Sequence, residues 1–131
     1  MFFSVFLLLS LSVAAPDLGE TFIIVTEPVS PYEKLMNAII KVESSGDTLA
    51  INCDEEAIGA FQIRPIRLLD YNQRTGKNYK EDDLYNIEIS KEIFLYYAKK
   101  LGCHNFETIA KSWNGSGKST VTYWQKVKSY L

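Results

Sequence analysis

Glu43 is the residue of this sequence that is best placed for acid–base chemistry. It follows Ile39 by four positions and Met36 by seven, so it continues the apolar stripe of a helix that opens near Ser30. A carboxyl group on that inward edge is partly removed from water, which disfavours its charged form and raises its pKa. We therefore predict that Glu43 is a general acid, with a solvated carboxylate at the helix end as the alternative.

Three further blocks of polar, aromatic and glycine residues follow the pair Glu43-Ser44. They are residues 57–62 (Ala-Ile-Gly-Ala-Phe-Gln), 86–87 (Asn-Ile) and 112–115 (Ser-Trp-Asn-Gly). In this order the four blocks resemble the motifs of the lytic transglycosylase domain of the lysozyme-like superfamily, which run Glu-Ser, Gly-Leu-Met-Gln, Asn-Ile and Tyr-Asn-Ala-Gly. The resemblance spans residues 34–131. It implies a mainly α fold, a small lysozyme-like helical globule with one long active-site loop.

The resemblance also implies what each residue does to a peptidoglycan glycan strand. Glu43 would protonate the glycosidic oxygen between N-acetylmuramic acid (MurNAc) and N-acetylglucosamine (GlcNAc). It would then act as base on the 6-hydroxyl of the same MurNAc, which leaves a 1,6-anhydro-MurNAc end. The implied substrate-binding residues are Ser44, Gln62, Trp113 and Asn114. Each of these four has an ordinary structural interpretation as well, such as a polar group that ends a helix.

Three positions depart from the family pattern. Trp113 replaces a tyrosine, so the hydroxyl that would contact the acid is expected to be missing, with an indole N–H in its place. Phe61 replaces a methionine in an apolar wall. Arg64 stands two residues after Gln62, where hydrolytic relatives that resemble goose-type lysozymes carry an acidic residue. The lack of an acidic residue at position 64 favours lyase over hydrolase chemistry, whereas the change at Trp113 concerns the second step.

Two other functions stay open. A hydrolytic lysozyme would use a second carboxylate to activate water, and Asp54 and Glu55 in the loop after Glu43 are the candidates. A cell-wall sugar-binding protein that has lost catalysis is the other alternative, since sugars stack on aromatic rings and Trp113 departs from the pattern. Most aromatic residues here, however, have the spacing of a helical core.

The first helix must position Glu43. Ser30, Pro31 and Glu33 have the form of a capping box with proline at the first helical position, so we predict a helix from Ser30 through about Glu43. Ser44-Ser45-Gly46 ends it, and an irregular stretch to Glu56 forms the long loop.

Four more helices are predicted after this loop, at about residues 65–76, 86–102, 105–113 and 120–131. Asn86 and Asn105 have the residue type and position of N-caps. In the last helix, Val121, Trp124 and Val127 are expected to be buried.

Length and charge restrict the class of function further. A chain of 131 residues with a net charge of -2 is long enough for one domain, here residues 30–131, and its charges of mixed sign do not favour nucleic acid as a partner. Residues 115–120 look like the end of a phosphate-binding loop, but a helix precedes them instead of a strand, so no nucleotide is expected. We expect no cofactor, no metal and a monomer that acts on a glycan strand.

The N-terminal segment and the two cysteines bear on the compartment. Residues 1–15 are typical of a signal peptide, with an apolar run and small residues before Pro16; an uncleaved membrane tether and a buried N-terminal strand are the alternatives. Residues 16–29 are typical of a linker or an edge strand. We expect a secreted protein, or a periplasmic one in the cell envelope, after removal of the signal peptide. Cys53 and Cys103 could pair there as a disulfide, with two unrelated thiols as the alternative.

Overall fold

The computed structural model describes residues 29–131, so the predicted signal peptide and nearly all of the predicted linker lie outside the described residues. The described chain is mainly helical, as predicted. Its α-helices are α1 (Glu33–Ser44), α2 (Pro65–Thr75), α3 (Ile87–Lys99), α4 (Phe106–Asn114) and α5 (Ser119–Lys128). A 3-10 helix, Glu81–Tyr85, precedes α3. Within residues 29–131, no helix has both the length and the apolar character needed to cross a membrane.

The loop between α1 and α2 contains a small antiparallel sheet. Strand β1 (Ile51–Asn52) pairs with β2 (Ala57–Ile58), so that Ile51 lies opposite Ile58. Ile58 and Ile63 then exchange two backbone hydrogen bonds of 3.0 Å. The stretch to Glu56 that we predicted as irregular thus contains part of a short hairpin, and a tight turn follows the hairpin.

The caps of α3 and α4 are those predicted. Asn86 Oδ1 accepts hydrogen bonds from the backbone N–H groups of Glu88 and Ile89 at 2.9 and 3.4 Å. Asn105 Oδ1 accepts one from the N–H of Thr108 at 3.3 Å. Each side chain thus satisfies N–H groups that have no partner inside the helix.

The start of α1 was predicted wrongly. The helix begins at Glu33, because the carbonyl of Ser30 accepts the N–H of Glu33 at 2.9 Å in a turn that precedes it. Ser30 Oγ accepts the N–H of Tyr32 at 3.3 Å instead of capping the helix. The predicted capping box therefore does not form.

The buried face of α5 also differs from the prediction. Val121 is 50% exposed and Trp124 is only half-buried, whereas Thr120 and Tyr123 are buried with Val127. Helix α5 packs against both α1 and α4. These two contacts, and not the most apolar residues, decide which side of α5 faces inward.

The core draws residues from all five helices and from the hairpin, and its centre is aromatic. Phe61 stacks on Phe94 with ring centroids 5.1 Å apart, and Trp113 meets Phe94 edge-on at 5.0 Å. Aromatic pairs of this kind contribute about 0.5–1.5 kcal/mol each beyond the burial of their surface. Because Phe61 is anchored in this cluster, the turn that follows the hairpin is held in place.

Candidate active site

A cleft of about 740 Å³ lies at the C-terminal end of α1, bounded by the hairpin, α2, α4 and α5. Of the residues predicted for the site, the cleft brings together Glu43, Glu55, Gln62, Trp113 and Asn114. These residues come from distant parts of the sequence, so the fold assembles them. A carboxyl group and several polar side chains converge in this cleft, which is typical of a binding or catalytic site.

Glu43 is the carboxyl group of this cleft that is most affected by its surroundings. Its Oε1 accepts a hydrogen bond of 2.7 Å from the hydroxyl of Tyr123. Burial raises the pKa of Glu43 above its ordinary value, and the charge of Glu55 adds to this effect. The hydrogen bond from Tyr123 and the charge of Arg67 lower the pKa, but burial outweighs them. The carboxyl group thus keeps its proton to a higher pH than an exposed glutamate does.

Tyr123 is the residue of the site that the sequence analysis missed. With Trp113 in place of tyrosine, the hydroxyl beside the acid was expected to be absent, and that expectation is wrong because α5 supplies it. Burial and the neighbouring carboxylate raise the pKa of Tyr123, so its phenol stays protonated and donates. The sequence did contain a signal: Tyr123 precedes Val127 by four positions, the spacing of one helix face.

Gln62 lines the cleft and also holds the turn that carries it. Its Nε2 donates to the carbonyl oxygens of Gly59 at 3.0 Å and Ala50 at 3.3 Å. These bonds support a left-handed backbone at Gln62, with a φ of 50°, which is unusual for a residue other than glycine. None of the side-chain hydrogen bonds found within residues 29–131 involves Oε1 of Gln62, so this oxygen can still accept a hydrogen bond.

Ser44 and Trp113 use their polar groups to hold the same turn. Ser44 Oγ donates to the carbonyl of Ala60 at 2.9 Å, and Trp113 Nε1 donates to the carbonyl of Phe61 at 3.3 Å. Ser44 is not among the residues that line the cleft, whereas the ring of Trp113 forms part of its wall. The hydroxyl of Ser44, predicted for substrate, and the indole N–H of Trp113, expected beside the acid, thus hold this turn instead.

Asn114 and the two candidate second carboxylates differ in where they lie. Asn114 ends α4 and lines the cleft, and none of the side-chain hydrogen bonds found between residues 29 and 131 involves it. Glu55 also lines the cleft, but its Oε2 is bound to Nη2 of Arg64 at 2.7 Å. Asp54 is exposed in the hairpin turn and lies outside the cleft. Of the two, only Glu55 is near the acid.

Cys53 and Cys103 are free thiols in the structure. Cys53 is exposed in the hairpin turn, whereas Cys103 follows α3 and packs against the core. The two side chains thus belong to different environments, one in solvent and one at the edge of the core.

Comparisons of the chain with protein-family models, with curated protein sequences and with solved structures gave no match.

Proposed function

We propose that the protein is a lytic transglycosylase of lysozyme-like fold, which cleaves the MurNAc–GlcNAc bond of peptidoglycan. The observation that carries the proposal is the environment of Glu43: a carboxyl group whose pKa is raised by burial, bound by one tyrosine hydroxyl and open to a cleft. The four sequence blocks support it further. Parts of three of them, Ser44, residues 57–62 and Trp113, are joined by hydrogen bonds around this acid.

The proposed reaction uses one carboxyl group twice. Glu43 gives its proton to the glycosidic oxygen as the bond from that oxygen to C1 of MurNAc breaks, and the GlcNAc hydroxyl leaves. The resulting carboxylate then takes the proton of the MurNAc 6-hydroxyl while O6 bonds to C1. Glu43 is thereby reprotonated and the 1,6-anhydro ring is formed. Tyr123 donates a hydrogen bond to the carboxylate between the two steps.

Hydrolysis with Glu55 as the second carboxylate is the competing function, because Glu55 lines the same cleft. Two features favour the lyase. Oε2 of Glu55 is already bound to Arg64, so this oxygen would have to leave its partner before it could bind and orient a water molecule. In addition, the 6-hydroxyl is already held beside the reacting carbon and needs no water to be bound and oriented.

Mass spectrometry of digested peptidoglycan tests the proposal. We expect muropeptides that end in 1,6-anhydro-MurNAc, one water lighter than the products of hydrolysis, and we expect Glu43→Gln to lower activity by orders of magnitude while the fold is kept. Reducing ends as the main product would favour the hydrolase. In that case Glu55→Gln should be inactive and Asp54→Asn, the matched change outside the cleft, should be active.

Binding separates the enzyme from a protein that only recognises sugar. If the wild-type protein binds purified peptidoglycan but releases no muropeptides, the enzymatic proposal is wrong and the protein is a cell-wall sugar-binding module. Retention of near wild-type activity by Glu43→Gln would instead contradict the role of this residue.

A further inference from the structure

Arg67 is a partly buried cation in the wall of the cleft. It lies in the first turn of α2, and its guanidinium carbon is 4.0 Å from the ring centroid of Trp113 and 5.7 Å from that of Tyr97. Stacking uses the face of the guanidinium and leaves the N–H donors at its edge for other partners.

The carboxylates around Arg67 are bound to other residues. Asp70, one turn further along α2, accepts hydrogen bonds from Arg74 Nε and from the hydroxyl of Tyr97, both at 2.7 Å. Glu55 is paired with Arg64, and Glu43 with Tyr123. Among residues 29–131, therefore, no carboxylate oxygen lies within 4.0 Å of the guanidinium of Arg67, and none of the hydrogen bonds found there comes from it.

Three features of the surroundings of Arg67 favour an anion beside it. Arg67 is half-buried, and this burial lowers its pKa because it removes water from the guanidinium. The first turn of a helix carries the positive end of the helix dipole, so the cation lies at the wrong end of α2. Lys126, on the opposite wall, brings a second positive charge to the same cleft, and no salt bridge of Lys126 was found within the described chain. An anion bound beside Arg67 would relieve each of these costs.

We propose that Arg67, supported by Lys126, is a binding site for a carboxylate carried by the glycan strand. This proposal rests on the proposed function, because it names the group of the substrate that the same cleft recognises. MurNAc differs from GlcNAc by a lactyl ether whose carboxyl group is either free or joined to a stem peptide that ends in its own carboxylate. A guanidinium with unused edge donors binds a carboxylate through two parallel hydrogen bonds. The site would thus select acidic glycans over neutral ones in a chain whose overall charge is -2.

Binding measurements with acidic and neutral saccharides test this site. We would use calorimetry in the Glu43→Gln background, so that nothing is cleaved, with three probes: (GlcNAc)4, the peptide-free tetrasaccharide (GlcNAc–MurNAc)2, and the same tetrasaccharide with stem peptides. The parent protein should prefer a carboxylated probe. Adding Arg67→Gln should weaken that probe by about 10- to 100-fold and leave (GlcNAc)4 unchanged.

The results distinguish the two possible carboxylates and test whether Arg67 binds either of them. Preference for the peptide-free probe assigns the lactyl carboxylate, and preference for the peptide-bearing probe assigns the peptide carboxylate. Arg67→Lys should recover part of the preference, because it keeps the charge and loses the two-pronged geometry. Arg74→Gln, on the same helix but outside the cleft, should bind like the parent. An Arg67→Gln variant that weakens all three probes equally, or none, overturns the proposal.

A second readout does not depend on catalysis. In the wild-type protein, the Nε–H resonance of Arg67 in a nitrogen–proton NMR spectrum, assigned by its loss in Arg67→Gln, should shift on titration with N-acetylmuramic acid and not with N-acetylglucosamine. If it shifts and peptidoglycan is not cleaved, the carboxylate site stands and the enzymatic proposal fails. If it does not shift for either sugar, the carboxylate site is wrong whatever the activity.

Discussion

Replacing Tyr123 by phenylalanine removes the hydroxyl that Glu43 accepts at 2.7 Å and keeps the ring that packs between α5 and the core. A hydrogen bond to a neutral acceptor contributes about 0.5–1.5 kcal/mol and one to a charged acceptor about 1.5–3 kcal/mol. The variant therefore disfavours the carboxylate form of Glu43 by about 1–2 kcal/mol more than the protonated form. If the negative charge on Glu43 is largely developed in the transition state, this difference lowers kcat by about 5- to 30-fold.

The same change has a signature in stability that needs no substrate. Burial raises the folded-state pKa of Glu43, so its contribution to stability is complete below the unfolded pKa and is lost as the pH rises through the folded pKa. Without the hydroxyl of Tyr123 the folded pKa rises further. The free energy of unfolding should then fall more steeply with pH in Tyr123→Phe than in the wild type, and the alkaline limb of the pH–activity profile should move to higher pH.

Urea unfolding from pH 4 to pH 8, together with the pH dependence of muropeptide release, measures both effects. Tyr130→Phe is the matched control, because Tyr130 follows α5, is 55% exposed and has no side-chain hydrogen bond found between residues 29 and 131. A cost of Tyr123→Phe that is the same at every pH, with an unshifted activity profile, would show that the hydroxyl does not control the acid.

Three further changes test interactions that hold the fold together. Gly59→Ala should lower the free energy of unfolding by more than about 3 kcal/mol, because the new Cβ would lie 2.3 Å from a backbone carbonyl oxygen. Gly76→Ala has a similar φ and open space around it, so it should lower the free energy of unfolding by only about 1–2 kcal/mol, and equal losses in thermal denaturation would refute the clash. Ser44→Ala should lower the free energy of unfolding by about 1–3 kcal/mol, because the carbonyl of Ala60 loses its donor, and it should change the affinity for glycan little. A large loss of affinity at unchanged stability would show that Ser44 binds the substrate. Glu92→Gln should lower the free energy of unfolding by about 1 kcal/mol at pH 7 and by less near pH 3, because hydrogen bonds from two tyrosines hold the pKa of this half-exposed carboxyl below its usual value. The stabilisation by Glu92 is therefore present above the unfolded pKa and is lost as the pH falls, and a loss of stability that is the same at every pH would argue against this.

The starts of several helices in this fold could be predicted from single residues. Pro65 opens α2, and Asn86 and Asn105 cap α3 and α4, because each cap is a short-range bond between a side chain and the next turn. The partly buried position of Glu43 could be predicted for a similar reason, since its place in an apolar stripe is a property of one helix. Such features depend on neighbours within about four residues, so the sequence displays them directly.

The hairpin, the orientation of α5 and the identity of Tyr123 depend on contacts between distant segments. Strands of two residues carry no alternation to detect, and the hairpin is held by bonds such as that from the N–H of Gly59 to the carbonyl of Ala50. In α5, hydrophobicity alone predicts that Val121 is buried in preference to Tyr123, because the polar hydroxyl of a tyrosine disfavours burial when its hydrogen-bond partner is unknown. Once Glu43 accepts that hydroxyl, burial of Tyr123 leaves no polar group unsatisfied, and the face with the tyrosine becomes the inward one.

The two proposals are linked through the charge balance of the cleft. The positive charge of Arg67 lowers the pKa of Glu43 and so opposes the effect of burial, which is the larger of the two. A substrate carboxylate bound to Arg67 would cancel much of that positive charge at the moment when water is displaced from the cleft. Both changes favour the protonated form of Glu43, the form that the first step consumes. An acidic glycan would thus promote the protonation of Glu43, the residue proposed to cleave it. A neutral glycan would leave the positive charge of Arg67 uncompensated, so the pKa of Glu43 would stay lower.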